Sequence, residues 1–269
     1  MTVPAAGATR IVELGDGLTV SVAERGDAGA TAVLLLHGGG GPRSVAGFAA
    51  ELAEDNYVLT PVHPGFDGTP RPAWFDSVGD LAVAYLDLLD RLDLSEVVVI
   101  GSSVGGWIAA EMGLRDTRRR MAGLVLIDAV GIRASDPREI ADPTTLGPAE
   151  FGKLTFCNPA FRVAPATLTD EQRAVMDANL RTLAVYAGDP YMHDPKLRRR
   201  LRRVCMPVLV IWGEQDGVAS IEYGLVYAES FPHARFEPIS EAGHLPHLEQ
   251  PAVTLKAVNQ FVAEELPRA

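Results

Sequence analysis

Two cysteines, Cys157 and Cys205, are all that this chain of 269 residues contains. Two thiols cannot build a disulfide framework or a structural zinc centre, so free thiols in a reducing cytoplasm are expected. Positive charge is scarce as well: 24 Lys and Arg stand against 35 Asp and Glu, a formal net charge of −11. Nucleic acid and anionic membrane surfaces both demand a basic footprint, so neither is expected as a partner. The basic clusters that do occur, RDTRRR (115–120) and KLRRRLRR (196–203), read as solvated helix faces in so acidic a chain. No apolar run approaches the roughly 20 residues that span a bilayer. The opening MTVPAAGATR lacks the charged-then-apolar order of a secretory leader. A soluble, cytoplasmic protein is the expectation.

What the chain has is core. Hydrophobic residues make up 47% and charged residues 22%, the balance of a globule with a substantial interior. Five apolar runs bounded by Gly or Pro lie at 31–38, 56–62, 96–101, 122–128 and 206–213. They do not alternate, which suits strands of a parallel sheet covered on both faces. Residues 10–15 and 18–26 alternate and are joined by Asp16-Gly17, the signature of an antiparallel hairpin at the sheet edge. Residues 234–240 supply an eighth strand. Amphipathic helical patterns fall between the strands: 76–93, with Val78, Leu81, Tyr85, Leu88, Leu89 and Leu92 on one stripe, then 104–114, 218–230 and 251–265. Strand alternating with helix implies right-handed crossovers and a doubly covered sheet. The rhythm fails from 131 to 203, where prolines are frequent and the helical stretch 170–188 stands among loops. So long an interval between two strands predicts an inserted helical cap. The chain thus divides into a core, 1–130 and 204–269, and a cap, 131–203.

One stretch, VVIGSSVGGW (98–107), carries the pattern Gly101-x-Ser103-x-Gly105 where a strand gives way to a helix. Such a turn forces its central residue into a strained conformation, worth about 1–3 kcal/mol. It also requires small neighbours, and it holds the hydroxyl at a helix N-terminus, where negative charge is favoured. Ser102 fails the same test, because Ile100 and Val104 flank it; it is read as a packing residue.

A serine needs a base. Of six histidines, His244 in EAGHLPHLEQP follows the last strand and lies at the same sheet edge as Ser103. His247 and His37 read as structural, the latter orienting the glycine loop. His233 falls at the wrong edge and His193 in the cap. A carboxylate must fix the imidazole. Asp216 follows a buried strand and has the longer loop; Asp128 has a similar place one strand earlier, and Glu214 is a third choice. The glycine run of LLLHGGGGP (34–42) lets backbone approach a ligand. Its Gly39 N–H, with that of Val104, is the expected oxyanion pair, flanked by Gly38 and Gly40. It lacks the ending of a P-loop and the spacing of a dinucleotide fingerprint. Trp107, Phe151, Phe156, Phe161, Met176, Tyr186, Tyr191 and Leu245 are candidate pocket residues.

In these motifs the chain resembles the α/β-hydrolase superfamily over nearly its whole length, from LHGGGGP through PVHPGFDGTP and GSSVGG to WGEQD and GHLPHLEQP. The order Ser103, Asp216, His244 is the order of that family. The resemblance implies an eight-stranded, mostly parallel α/β sheet and a serine hydrolase that needs no cofactor or metal. A small, largely apolar ester or lactone is the expected substrate, cleaved through an acyl-enzyme. The glycine loop and HPGFDGTP are similar to those of carboxylesterases, cofactor-free haloperoxidases and carbon–carbon bond hydrolases. In the last group Trp is expected after the catalytic histidine, where this chain has Leu245. His63 stands where these relatives usually carry aspartate, and its role is left open. Serine at the elbow argues against epoxide and haloalkane hydrolysis, which use aspartate there. Three rivals remain. A carbon–carbon or thioester hydrolase would use the same triad and is separated by a substrate panel. A hydroxynitrile-type lyase would form no acyl-enzyme. A non-catalytic binder would still do its task as Ser103→Ala. Whether two copies pair as a homodimer is not decided by the sequence.

Overall fold

The computed structural model describes residues 8–133, 140–143, 145–162 and 167–266. Residues 1–7, on which the reading of the N-terminus rested, and residues 134–139, 144 and 163–166 of the expected cap lie outside the described residues.

The chain runs β1 (Ala8–Gly15), β2 (Leu18–Arg25), β3 (Ala32–Leu36), α1 (Ala46–Leu52), β4 (Tyr57–Pro61), α2 (Val78–Arg91), β5 (Val97–Ser102), α3 (Val104–Arg115) and β6 (Met121–Ile127). It continues through α4 (Pro148–Thr155), α5 (Asp170–Ala187), α6 (Leu197–Arg200), β7 (Val208–Gly213), α7 (Ile221–Ala228), β8 (Ala234–Ile239), α8 (Pro246–Glu249) and α9 (Pro251–Glu265). The eight strands form one sheet in the order β1-β2-β4-β3-β5-β6-β7-β8. Strand β2 is antiparallel to both its neighbours, and the remaining pairs are parallel. The β1–β2 turn has positive φ at Asp16 (49°) and Gly17 (77°), as a two-residue hairpin requires.

Unbroken apolar strands follow from burial on both faces. Leu34, Leu36, Val97, Val99, Leu124 and Leu126 pack toward α2, α3 and α7, while Val33, Leu35, Val98, Ile100, Val125 and Ile127 pack toward α1 and α9. The stripe expected on α2 is buried as read, with Leu92 partly so. Helix α3 departs from the amphipathic pattern: residues 104–112 are all buried. It lies against α2 and the sheet, and the chain leaving β6 covers it further, with Ala129 against Gly106 and Gly131 against Trp107. Helix α1, between β3 and β4, was not legible in the sequence. Among the described residues no helix is long and apolar enough to cross a membrane.

The strand order reverses at β3, which has β4 on one side and β5 on the other. Parallel strands leave a crevice beyond their carboxyl ends at such a switch point. Ser103 and the glycine loop both issue there, since Leu36 is paired with Gly101. Adjacent β6, β7 and β8 bring Asp128, Asp216 and His244 to the same edge.

Candidate active site

Ser103 has φ 55° and ψ −118°, outside the regions favoured by side-chain-bearing residues. The surroundings enforce this. A Cβ on Gly101 would lie 2.2 Å from the Gly105 carbonyl oxygen, and one on Gly105 would lie 2.4 Å from that of Leu36. The elbow is held by Ser103 N–H donating to the Ile127 carbonyl at 2.9 Å.

The Ser103 hydroxyl lies 2.9 Å from His244 Nε2, and His244 Nδ1 lies 2.8 Å from Asp216 Oδ2. Nδ1–H donates to the carboxylate, so Nε2 is left as acceptor for the serine proton. The second oxygen of Asp216, Oδ1, accepts N–H bonds from Val218 at 2.7 Å and Ala219 at 3.1 Å. Both carboxylate oxygens are therefore committed and the group cannot rotate away. Asp128 does not replace Asp216 as the imidazole's hydrogen-bond partner; its Oδ1 accepts from Gly213 N–H at 2.9 Å. Burial, and then the charge of Asp216, pushes the Asp128 carboxyl well above the usual carboxylate range. Glu214 is exposed.

The glycine loop sits directly beside the serine: a Cβ on Gly38 would lie 3.1 Å from Ser103 Cβ. A buried chain of neutral groups fixes it. His37 Nδ1–H donates to the Gly38 carbonyl at 2.8 Å, and His37 Nε2 accepts from His63 N–H at 3.1 Å. His63 Nε2–H donates to the His37 carbonyl at 2.9 Å, leaving Nδ1 to accept from the Tyr85 hydroxyl. Desolvation lowers the His37 pKa to about 4 and that of His63 well below its usual range, so both stay neutral and keep these tautomers. His63 thus has a structural partner set. His247, whose ring N–H reaches the Ser44 carbonyl at 3.1 Å, is likewise lowered to about 4 by burial. Among the described residues, neither Gly39 N–H nor Val104 N–H donates to a backbone acceptor.

The segment between β6 and β7 closes over this edge. Helix α5 is tied to the loop after β4: Asn179 Nδ2 donates to Asp67 Oδ1 and Asp67 N–H donates back to Asn179 Oδ1, each at 2.8 Å. Thr182 donates to the Gly65 carbonyl at 2.9 Å and Tyr186 to that of Pro64 at 2.7 Å. The end of α4 is bonded to the loops that carry Asp216 and His244, with Gly217 N–H on the Leu154 carbonyl (3.0 Å) and His244 N–H on that of Thr155 (2.8 Å). Glu249, passed over in the sequence, accepts N–H bonds from Gly243 at 2.7 Å, Asn158 at 2.7 Å and Cys157 at 3.3 Å.

Of the expected pocket residues, Trp107 is buried one turn after Ser103, its indole Nε1 without a partner. Tyr186 is buried with its ring against Phe66 and Phe75. Phe151, Phe156, Tyr191 and Leu245 are half-buried, whereas Phe161 and Met176 are exposed. Leu183 was not singled out in the sequence, yet it packs on Gly39.

Residues 33–257 match the model of a family described as the alpha/beta hydrolase family. A pimeloyl-[acyl-carrier protein] methyl ester esterase of Aromatoleum aromaticum is 30% identical over 81% of this chain and 93% of its own. A 2-hydroxymuconate semialdehyde hydrolase of Pseudomonas sp. CF600 is 27% identical over 88% of this chain and 89% of its own. A thermophilic esterase from Thermogutta terrifontis superposes with a TM-score of 0.75 at 23% identity, covering 97% of this chain and 100% of that one.

Proposed function

Because this chain belongs to the alpha/beta hydrolase family, we propose that it hydrolyses a small, largely apolar carboxylic ester or lactone through an acyl-enzyme on Ser103. The observation that carries the proposal is the hydrogen-bonded line from Ser103 Oγ through His244 to Asp216, begun at a strained elbow. His244 Nε2 takes the serine proton as Oγ attacks the carbonyl carbon, and Asp216 stabilises the imidazolium that forms. The amides of Gly39 and Val104 are the donors for the oxyanion. His244 then returns its proton to the leaving alcohol. Water, deprotonated by the same nitrogen, attacks the acyl carbon and frees Ser103. The insertion between β6 and β7 acts as the cap, with Leu183 contributing an apolar contact to the glycine loop.

The methyl ester esterase relative supports an ester substrate; the semialdehyde hydrolase relative supports carbon–carbon cleavage by the same three residues. Hydrolysis of p-nitrophenyl acetate, butyrate and octanoate, a γ-lactone and a vinylogous diketone separates the two. The proposal expects ester or lactone turnover that falls by about 10³ or more in Ser103→Ala. Turnover of the diketone alone, or ester turnover that survives in Ser103→Ala, overturns it.

A further inference from the structure

Two carboxyl groups, not one, lie near the imidazole. Strands β6 and β7 are parallel neighbours, so Asp128, immediately after Ile127, and Asp216, a short turn after Gly213, leave the sheet side by side. One oxygen of Asp128, one of Asp216 and a ring nitrogen of His244 lie within 4.8 Å of one another, and all three residues are buried. Asp128 is anchored: its N–H donates to the Ile211 carbonyl at 3.0 Å and its Oδ1 accepts from Gly213 N–H at 2.9 Å. Its Oδ2 is buried and receives no N–H or O–H. No lysine or arginine forms an ion pair with it among the described residues; the other charges acting on it are those of Asp216 and Glu249, both acidic. A buried carboxylate with an orphan oxygen and carboxylates as the charges acting on it is costly. A proton on Oδ2 removes the cost, and burial beside the Asp216 carboxylate favours that neutral form.

We propose that Asp128 is a positioning residue with two duties: as an acid it donates a hydrogen bond that helps hold Asp216, and where Asp216 is replaced by a short polar residue it supplies His244 with the missing anion. The first duty involves no net proton transfer. In the second, Asp128 releases its proton to solvent and accepts the hydrogen bond of His244 Nδ1–H. The proposal rests on the reading of Ser103, His244 and Asp216 as a working triad.

The test is a double-mutant cycle read by the rate at which a fluorophosphonate labels Ser103, which needs no chosen substrate. Four proteins enter it: the unmodified chain, Asp128→Asn, Asp216→Ser and the double variant. Serine retains an oxygen for the Val218 and Ala219 amides, and thermal melting of each protein reports its folding. We expect Asp128→Asn to lower labelling by about fivefold or less alone, and by about fiftyfold or more on the Asp216→Ser background. The pH profile of Asp216→Ser should gain an acidic limb that the double variant lacks. An equal factor in both backgrounds, as a purely structural aspartate would give, overturns the proposal. Absence of labelling in the folded unmodified chain instead sinks the triad reading beneath it. A second measurement leaves Asp216 untouched: the infrared spectrum at pH 7 should contain a protonated-carboxyl stretch that disappears in Asp128→Asn. Its absence from the unmodified protein also overturns the proposal.

Discussion

Leu183 of α5 rests on Gly39 of the glycine loop so closely that a Cβ on that glycine would stand 2.7 Å from the leucine's Cδ2. The loop proposed to bind the oxyanion is therefore in contact with the insertion between β6 and β7. Gly39→Ala should lower kcat/KM for an ester by about tenfold or more, since the loop must shift to admit the methyl. Leu183→Ala, which removes a buried side chain, should cost about 2–4 kcal/mol of stability by chemical denaturation. Combining the two should recover activity relative to Gly39→Ala alone. A double variant no better than Gly39→Ala would show that this contact does not set the loop.

Under the proposed mechanism Asp216 has two separable tasks, holding the imidazole and tying down its own loop. Asp216→Asn keeps an oxygen for the Val218 and Ala219 amides but turns a donor toward His244 Nδ1, imposing the wrong tautomer. It should lose about 10⁴ in kcat, the size seen for this change in a serine protease triad, with little change in melting temperature. Asp216→Ala should lose both activity and several degrees of Tm. Equal Tm for the two variants would contradict the second task.

These two aspartates show where sequence reading ends. Strand positions, the elbow and the histidine loop were legible because each has a local signature: an unbroken apolar run, a Gly-x-Ser-x-Gly turn, a histidine after the last strand. Between Asp128 and Asp216, loop length favoured Asp216; the structure gives Asp216 the hydrogen bond to His244 and adds that Asp128 lies close beside the pair. Nothing local in the sequence announces that β6 and β7 are adjacent. His63 was left open for the same reason, since its partners, His37 and Tyr85, come from other elements. Leu183 and Glu249 escaped notice because their importance lies in the docking of the insertion, a tertiary fact. Short α1, α4, α6 and α8 lacked the length for periodicity to show.

Glu249 joins the histidine loop to the insertion through the amides of Gly243, Asn158 and Cys157. Glu249→Gln sets an amide donor against at least one of those N–H groups, which should cost about 1–3 kcal/mol. Since Gly243 immediately precedes His244, kcat should fall further than KM rises. Steady-state kinetics with a melting curve measures both, and an unchanged kcat in a destabilised protein would confine Glu249 to scaffolding.

Histidine burial predicts an acid limit to stability. His247 is lowered from 6.5 to about 4 in the folded protein. Between those values the unfolded chain binds a proton that the folded one refuses, so stability is full above pH 6.5 and declines as the pH falls toward 4. His37 behaves in the same way. The full loss for each is about 3 kcal/mol. His247→Gln should be less stable at pH 7 but lose stability less steeply below 6.5, by up to one proton of slope. Parallel curves of unfolding free energy against pH for the two proteins would contradict this.

Tyr85→Phe removes the donor that His63 Nδ1 receives and leaves a buried acceptor unmet. A stability loss of about 1–3 kcal/mol is expected, measured by denaturant titration. No loss would mean that the His37–His63 pair stands without it.

The central claim is that Ser103 is an activated nucleophile. Incubation with a fluorophosphonate, followed by intact-mass measurement and peptide mapping, tests it directly. The account predicts one stoichiometric adduct on Ser103, absent from Ser103→Ala and strongly slowed in His244→Ala. An intact, folded protein that acquires no adduct, or acquires it elsewhere, would contradict the account.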